Sequence, residues 1–156
     1  MTSKHCVKCG GDLVASIGEE RIRVGEVAFG ADLVHEVCAG CGERFLSAKE
    51  LERFELAVAV ELARIGWRTG SALRFMRKAL GFRVSEWAEL LGVAPETLSR
   101  WETSESEPDA HAFAFAGKLA AERLESERTL TASKATHQPA TSPPVTAVRL
   151  NITPRP

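Results

Sequence analysis

A chain of 156 residues with a formal net charge of −1, 44% apolar and 26% charged side chains has a soluble globular composition, with room for one ordinary domain or two small ones. No apolar run approaches the roughly 18 residues a membrane span needs, and "MTSKHCVKCGG" has none of the apolar character of a secretory leader, so a cytoplasmic setting is expected. The near-zero net charge argues against a broad nonspecific polyanion binder and makes local patches matter more than the sum.

From Lys4 to Phe45 turn residues alternate with three β-patterned runs, 13–17, 21–29 and 32–37. In the second, Ile22 and Val24 alternate with Arg21 and Arg23, the period of a half-buried strand. Around them stand Cys6, Cys9, Cys38 and Cys41, in the pattern C-x2-C, a spacer of 28 residues, C-x2-C. Two intervening residues let both thiolates point at one ion from a tight turn, and two such turns complete a tetrahedron at Zn–S distances of about 2.3 Å. Gly10 and Gly42 each follow the second cysteine of a pair, where a residue without Cβ lets the backbone turn its amides toward sulfur.

A reducing compartment disfavours disulfides, so these cysteines are expected to hold one structural Zn2+, with no open position for water or substrate. A segment of roughly 45 residues buries too little apolar surface to fold alone, whereas structural zinc contributes on the order of 10 kcal/mol. The alternatives are disulfides, unconnected buried thiols, or iron in the same tetrahedron as a rubredoxin-like electron carrier. His5 is surplus to a four-cysteine site, and His35 reads as a residue of a sheet face.

From Ser47 the period changes to three and four. Leu51, Phe54, Val58, Leu62 and Ile65 form one apolar stripe, and "SAKE" (47–50) is a capping box, which together predict a helix over 48–65. "GWRTG" (66–70) reads as an interdomain boundary. Helices are expected at 71–80, 85–91, 95–102 and 110–128, separated by Gly81, Gly92 and Pro108. Residues 129–156, rich in Thr, Ser, Ala and Pro, read as a disordered tail. Within it "TAVRLNI" (146–152) is a short apolar run able to add as a strand to a partner, although such runs in such tails are more often unstructured.

Over residues 84–102 the sequence meets the steric demands of a helix-turn-helix. Ala88 is small where two helices cross, Gly92 falls at a left-handed turn, and Trp87, Leu91, Val93, Leu98 and Trp101 face inward. Pro95 suits the first turn of the second helix. That helix presents Glu96, Thr97, Ser99 and Arg100 outward. Arg100 can fork onto guanine O6 and N7, Thr97 or Ser99 can bond a phosphate or a base edge, and Glu96 can accept from cytosine N4 while repelling phosphate. Positive charge for the phosphates is expected from Arg64, Arg68, Arg74, Arg77, Lys78 and Arg83, in a stretch without acidic residues between 62 and 85. The bland alternatives are a helical hairpin that touches no DNA and charges that only solvate helix faces. His5, His35, His111 and His137 are scattered and no nucleophile–base set or phosphate loop is visible, so no enzyme is expected.

The paired cysteines, the amphipathic helix and "RKALGFRVSEWAELLGVAPETLSRWE" together resemble the MqsA antitoxins, which join a YgiT-type zinc finger to an Xre-type helix-turn-helix; the likeness covers roughly residues 4–125. The resemblance implies a homodimer that binds a palindromic double-stranded operator, represses its own operon, and neutralises a toxin, an mRNA-cleaving ribonuclease, through the zinc domain. By position it implies that Cys6, Cys9, Cys38 and Cys41 are the zinc ligands, that Arg100 reads a base, and that Arg77 and Glu102 form a structural ion pair. The chain departs from the family at Glu96, in place of a base-contacting asparagine, at Val84, and in the acidic "TSESEPD" (103–109), where a glycine and a basic residue are common.

The expected architecture is therefore α+β. A β-rich zinc-binding domain with a four-cysteine site spans 1–46, a linker helix and hinge 47–69, an all-α Xre or lambda-repressor-like domain 70–128, and a disordered tail 129–156. The expected function is that of a dimeric repressor and type II antitoxin, with DNA contacts from Arg83, Glu96, Thr97, Ser99 and Arg100. The alternative is a stand-alone regulator of the same build without a cognate toxin.

Overall fold

The computed structural model describes residues 5–135 and 149–151. Two strands, β1 (Leu13–Val24) and β2 (Val27–Cys38), pair antiparallel along their whole length, from Leu13 opposite Cys38 to Val24 opposite Val27. Gly25 and Glu26 make the turn, with φ +60° at Gly25, the place a two-residue hairpin of the II′ kind gives to glycine. The turn falls inside the run 21–29 that alternation alone reads as one strand. Conversely, β1 continues unbroken through Gly18, where the side chains of Arg44 and His35 fill the space a Cβ would need.

On the other side of β2 lie β3 (Arg44–Leu46), opposite His35–Val37, and β4 (Arg149–Asn151), opposite Ala28–Gly30. Strand β2 is thus central. Its alternate residues Val27, Phe29, Ala31, Leu33 and His35 are all buried on one face, whereas Asp32 on the other is exposed. Strand β4 belongs to the run 146–152 and adds to this chain's own sheet, satisfying β2 backbone groups beyond the reach of β3.

Five helices follow. In α1 (Ala48–Arg64) the Ser47 hydroxyl accepts from the Glu50 amide at 3.1 Å, while the Glu50 carboxylate pairs with Arg53. Its buried residues are Phe54, Leu56, Val58, Ala59 and Leu62. Leu51, assigned to the stripe by periodicity, is 40% exposed, and Leu56 is buried in addition, because α1 is covered from several directions, by α2, α5 and β2. The helix set apart as a linker by its sequence thereby packs within one core that joins Phe29 and Leu33 of the sheet to Phe54, Met76, Trp87, Leu98 and Phe113 of the helices. Helix α2 (Gly70–Ala79) is capped by Thr69, and α3 (Val84–Leu91) and α4 (Pro95–Glu102) follow. Helix α5 (Ala110–Ala135) starts at Asp109, whose Oδ1 accepts from the Ala112 and His111 amides, contacts that hold this carboxyl below its usual range.

Helix α5 runs to Ala135, beyond the expected end at 128, since no proline or glycine interrupts the chain before Pro139. Apart from β4, the remaining residues of the 129–156 segment lie outside the described ones.

The corner 66–70 is closed by contact with α4. A Cβ on buried Gly70 would strike the carbonyl oxygens of Trp101 and Glu102, backbone atoms that cannot swing away. Gly70→Ala is expected to destabilise the protein by about 1–3 kcal/mol through overpacking, read as a lower urea midpoint at unchanged m-value.

Candidate metal centre and nucleic-acid interface

The two cysteine turns are near copies of each other. Cys6 N–H donates to Gly11 O (2.8 Å) and Gly10 N–H to Cys6 O (2.8 Å); Cys38 N–H donates to Glu43 O (2.9 Å) and Gly42 N–H to Cys38 O (2.9 Å). Gly10 and Gly42 both take left-handed backbone, φ +74° and +72°, which closes each turn. The turns are tied together by Ala39 N–H donating to Asp12 O (3.0 Å) and by a Lys8–Glu43 ion pair (2.7 Å), a contact no spacing rule would have shown. That carboxylate raises the Lys8 ammonium pKa.

Cys6 Sγ lies 3.7 Å from Cys41 Sγ, Cys9 Sγ lies 3.4 Å from Cys38 Sγ, and all four sulfurs fall within 4.8 Å of one another. Sulfurs around one tetrahedral ion at about 2.3 Å stand about 3.8 Å apart, so the cluster can hold a metal ion such as zinc. The Cys41 and Gly40 amides approach Cys38 Sγ at 3.5 and 3.4 Å. The Cys41 amide is the chief cause that lowers the Cys38 thiol to about 6, which favours the thiolate a metal requires. Cys9 is pushed up to about 12: the Gly11 amide acts against this, and the neighbouring sulfurs outweigh it.

The other titratable groups nearby have partners of their own. His5 is exposed and faces Asp12 at 3.4 Å. His35 is buried, its Nδ1–H donating to the Leu33 carbonyl (3.0 Å) and its Nε2 lying 2.8 Å from Glu20 Oε1, with Arg44 Nη2 at 3.4 Å. It is a hydrogen-bonded residue of the sheet.

In the helical part Ala88 and Leu98 are fully buried, and Trp87, equally buried, packs between Phe82 and Phe115 at ring-centre distances of 5.1 and 6.0 Å. Gly92 ends α3 in left-handed backbone, φ +67°. This packing presents Glu96, Ser99 and Arg100 to solvent along α4 with Thr97 half-buried beside them, and places exposed Arg83 before α3, its amide donating to Glu86 Oε2 at 2.8 Å. Arg100 lies 3.7 Å from Glu105 in an exposed pair. Ser104 takes φ +65° after α4, a left-handed conformation within the acidic stretch.

The basic stretch divides into spent and free cations. Arg64 is engaged by Glu61 (2.8 Å), Arg68 by Glu107, and Arg77 by Glu102, whose two carboxylate oxygens accept from Arg77 Nε (2.6 Å) and Nη2 (2.9 Å). Arg77 Nη1–H also donates to Phe82 O at 2.7 Å. The pair is buried, its side chains 8% and 7% exposed, and it joins α2 to the end of α4. Arg74, Lys78 and Arg83 make no side-chain ion pair among the described residues.

A helix-turn-helix family, HTH_3, matches residues 73–113, which leaves the sheet, the cysteines and α1 outside the match. No curated protein matches the chain. Residues 73–113 thus carry the helix-turn-helix of a DNA-binding regulator, and the chain also carries a four-cysteine cluster suited to a metal ion such as zinc. None of the described helices is long and apolar enough to cross a membrane.

Elemental analysis of purified protein is expected to find one Zn2+ per chain. Chelation should then speed amide exchange at Cys6, Gly10, Cys38 and Gly42, whose N–H groups close the turns. Glu102→Ala, which strands a buried guanidinium, should cost about 3–5 kcal/mol in urea unfolding, and Arg77→Met with Glu102→Leu should recover much of that loss.

Proposed function

We propose that the chain is a zinc-stabilised transcriptional repressor that binds a palindromic operator as a homodimer and serves as the antitoxin of a type II toxin–antitoxin pair. The observation that carries the DNA-reading part is α4, whose buried Leu98 fixes the helix while Ser99 and Arg100 stand exposed on its outer side. Arg100 is assigned to bidentate contact with guanine, Thr97, Ser99 and Arg83 to phosphate or base-edge contacts, and Glu96 to a cytosine N4. In a dimer the two α4 helices would sit about 34 Å apart to meet half-sites one turn apart. The antitoxin part rests on the resemblance to the MqsA family, with the metal-bearing end of the sheet as the toxin-binding lobe.

Arg100→Ala is expected to weaken operator binding by about 1–3 kcal/mol and to relax specificity at one base pair, measured by gel shift against single-base operator variants. Unchanged binding removes Arg100 from the reading set. In the same programme, capture of the tagged chain from its native cell should bring down a small ribonuclease that it inhibits. Recovery of an operator-binding dimer without one leaves a repressor and eliminates the antitoxin role.

A further inference from the structure

A cavity of about 250 Å³ opens where the hairpin turn meets the exposed face of α2, lined by Arg23, Gly25, Ser71, Arg74, Phe75 and Lys78, with buried Val24 behind. Three of these side chains are cations and none is an acid. None of the three makes a side-chain hydrogen bond or an ion pair among the described residues, unlike Arg64, Arg68 and Arg77 of the same chain. Like charges gathered in one concavity repel one another, and the arrangement becomes favourable when an anion enters. The Ser71 hydroxyl, 3.0 Å from Thr69 Oγ1, adds a neutral donor at the rim.

We propose that this notch seats a phosphate of the DNA backbone, so that Arg23 of the N-terminal hairpin belongs to the DNA-binding surface together with Arg74 and Lys78. The proposal rests on the DNA-reading function above. Two features favour a backbone phosphate over a free phosphorylated compound. Arg74 and Lys78 sit on α2, directly before α3 in the matched helix-turn-helix, and unpaired Arg83 continues the free charge toward the recognition helix. Outside the cation set only Ser71 offers a hydrogen-bonding side chain, since Val24, Gly25 and Phe75 have none, which leaves little with which to recognise the rest of a small molecule. Arg74 and Lys78 belong to the basic stretch before α3, whereas Arg23 has the sequence pattern of the polar half of a strand; only the position of the turn brings it to α2.

The test is the salt dependence of operator binding by the full-length, metal-loaded protein. Each phosphate neutralised contributes about 0.9 to the slope of log affinity against log salt. Because the three cations share one phosphate, Arg23→Ala/Arg74→Ala/Lys78→Ala should lower the slope by about 1 and Arg23→Ala alone by a fraction of that, with specific and nonspecific DNA weakened alike. Arg23→Lys should restore most of the single loss. Because the three side chains line an open notch, unchanged thermal melts are expected and serve as the folding control. Wild-type slope and affinity in both variants would overturn the proposal; if Arg100→Ala still loses base discrimination there, the DNA-reading function stands without it. Titration with inorganic phosphate separates the other source. Saturable binding that the triple substitution abolishes, with operator binding unmoved, would assign the notch to a small phosphate ligand and overturn the DNA seat.

Discussion

The inner face of β2 is the constraint on which the rest of the molecule depends. Val27, Phe29, Ala31 and Leu33 enter the same core as Phe54 and Leu62 of α1 and Leu73 and Met76 of α2, while the same strand ends in Cys38. Side chains the size of Val27, Phe29 and Leu33 contribute about 1.5–3 kcal/mol each when fully buried, so these three attach the hairpin to the helices far more firmly than a flexible tether would. The consequence is mechanical. The cysteine turns and the helix-turn-helix stand at opposite ends of one packed strand, and what holds one end in register acts on the position of the other.

Charge shows why a chain of net charge −1 can present a surface for a polyanion. Much of its basic side-chain inventory near the helices is already spent: Arg64, Arg68 and Arg77 each face a carboxylate, and Arg123 bonds Glu52 and the Leu80 carbonyl. Exposed pairs of this kind contribute little stability, and the buried Arg77–Glu102 pair acts chiefly by fixing α2 against the end of α4. Arg23, Arg74, Lys78 and Arg83, by contrast, make no ion pair among the described residues. In the proposed DNA complex a negatively charged Glu96 on α4 is tolerable, because attraction for phosphates would come from groups away from the bases.

Much of this was legible in the residues. The C-x2-C spacing identified the four sulfurs that converge, because two intervening residues leave the turn few other shapes. Ala88, Gly92 and Leu98 identified the helix-turn-helix, because each position tolerates so few side chains. The failures have a common origin in contacts that period cannot report. Gly18 and Gly25 are the same residue type in similar surroundings, yet one lies within a strand, under Arg44 and His35, and the other makes the turn. The stripe of α1 includes exposed Leu51 and omits buried Leu56, since a helix with neighbours on several sides has no single apolar face. The corner 66–70 reads as a hinge from its two glycines, whereas Gly70 is held there by the backbone of α4.

The length of the hairpin gives the two ends their relation. Eleven residue steps of about 3.3 Å separate the cysteine end of each strand from the turn by roughly 36 Å, room enough for the two proposed partners to bind without meeting. Pairing along this length is specified by alternation, and a slip of one residue would turn every side chain of β1 to the opposite face. Val24 would leave the core and Arg23 would enter it, so the core itself resists the slip at the turn. At the far end Leu13 is opposite Cys38, and the cysteines that precede β1 meet those at and beyond the end of β2. A metal bound there opposes the same slip from the other side. The hairpin is thereby pinned twice, by apolar burial and by sulfur, and the register that places four thiolates around one ion is the register that turns Arg23 toward α2.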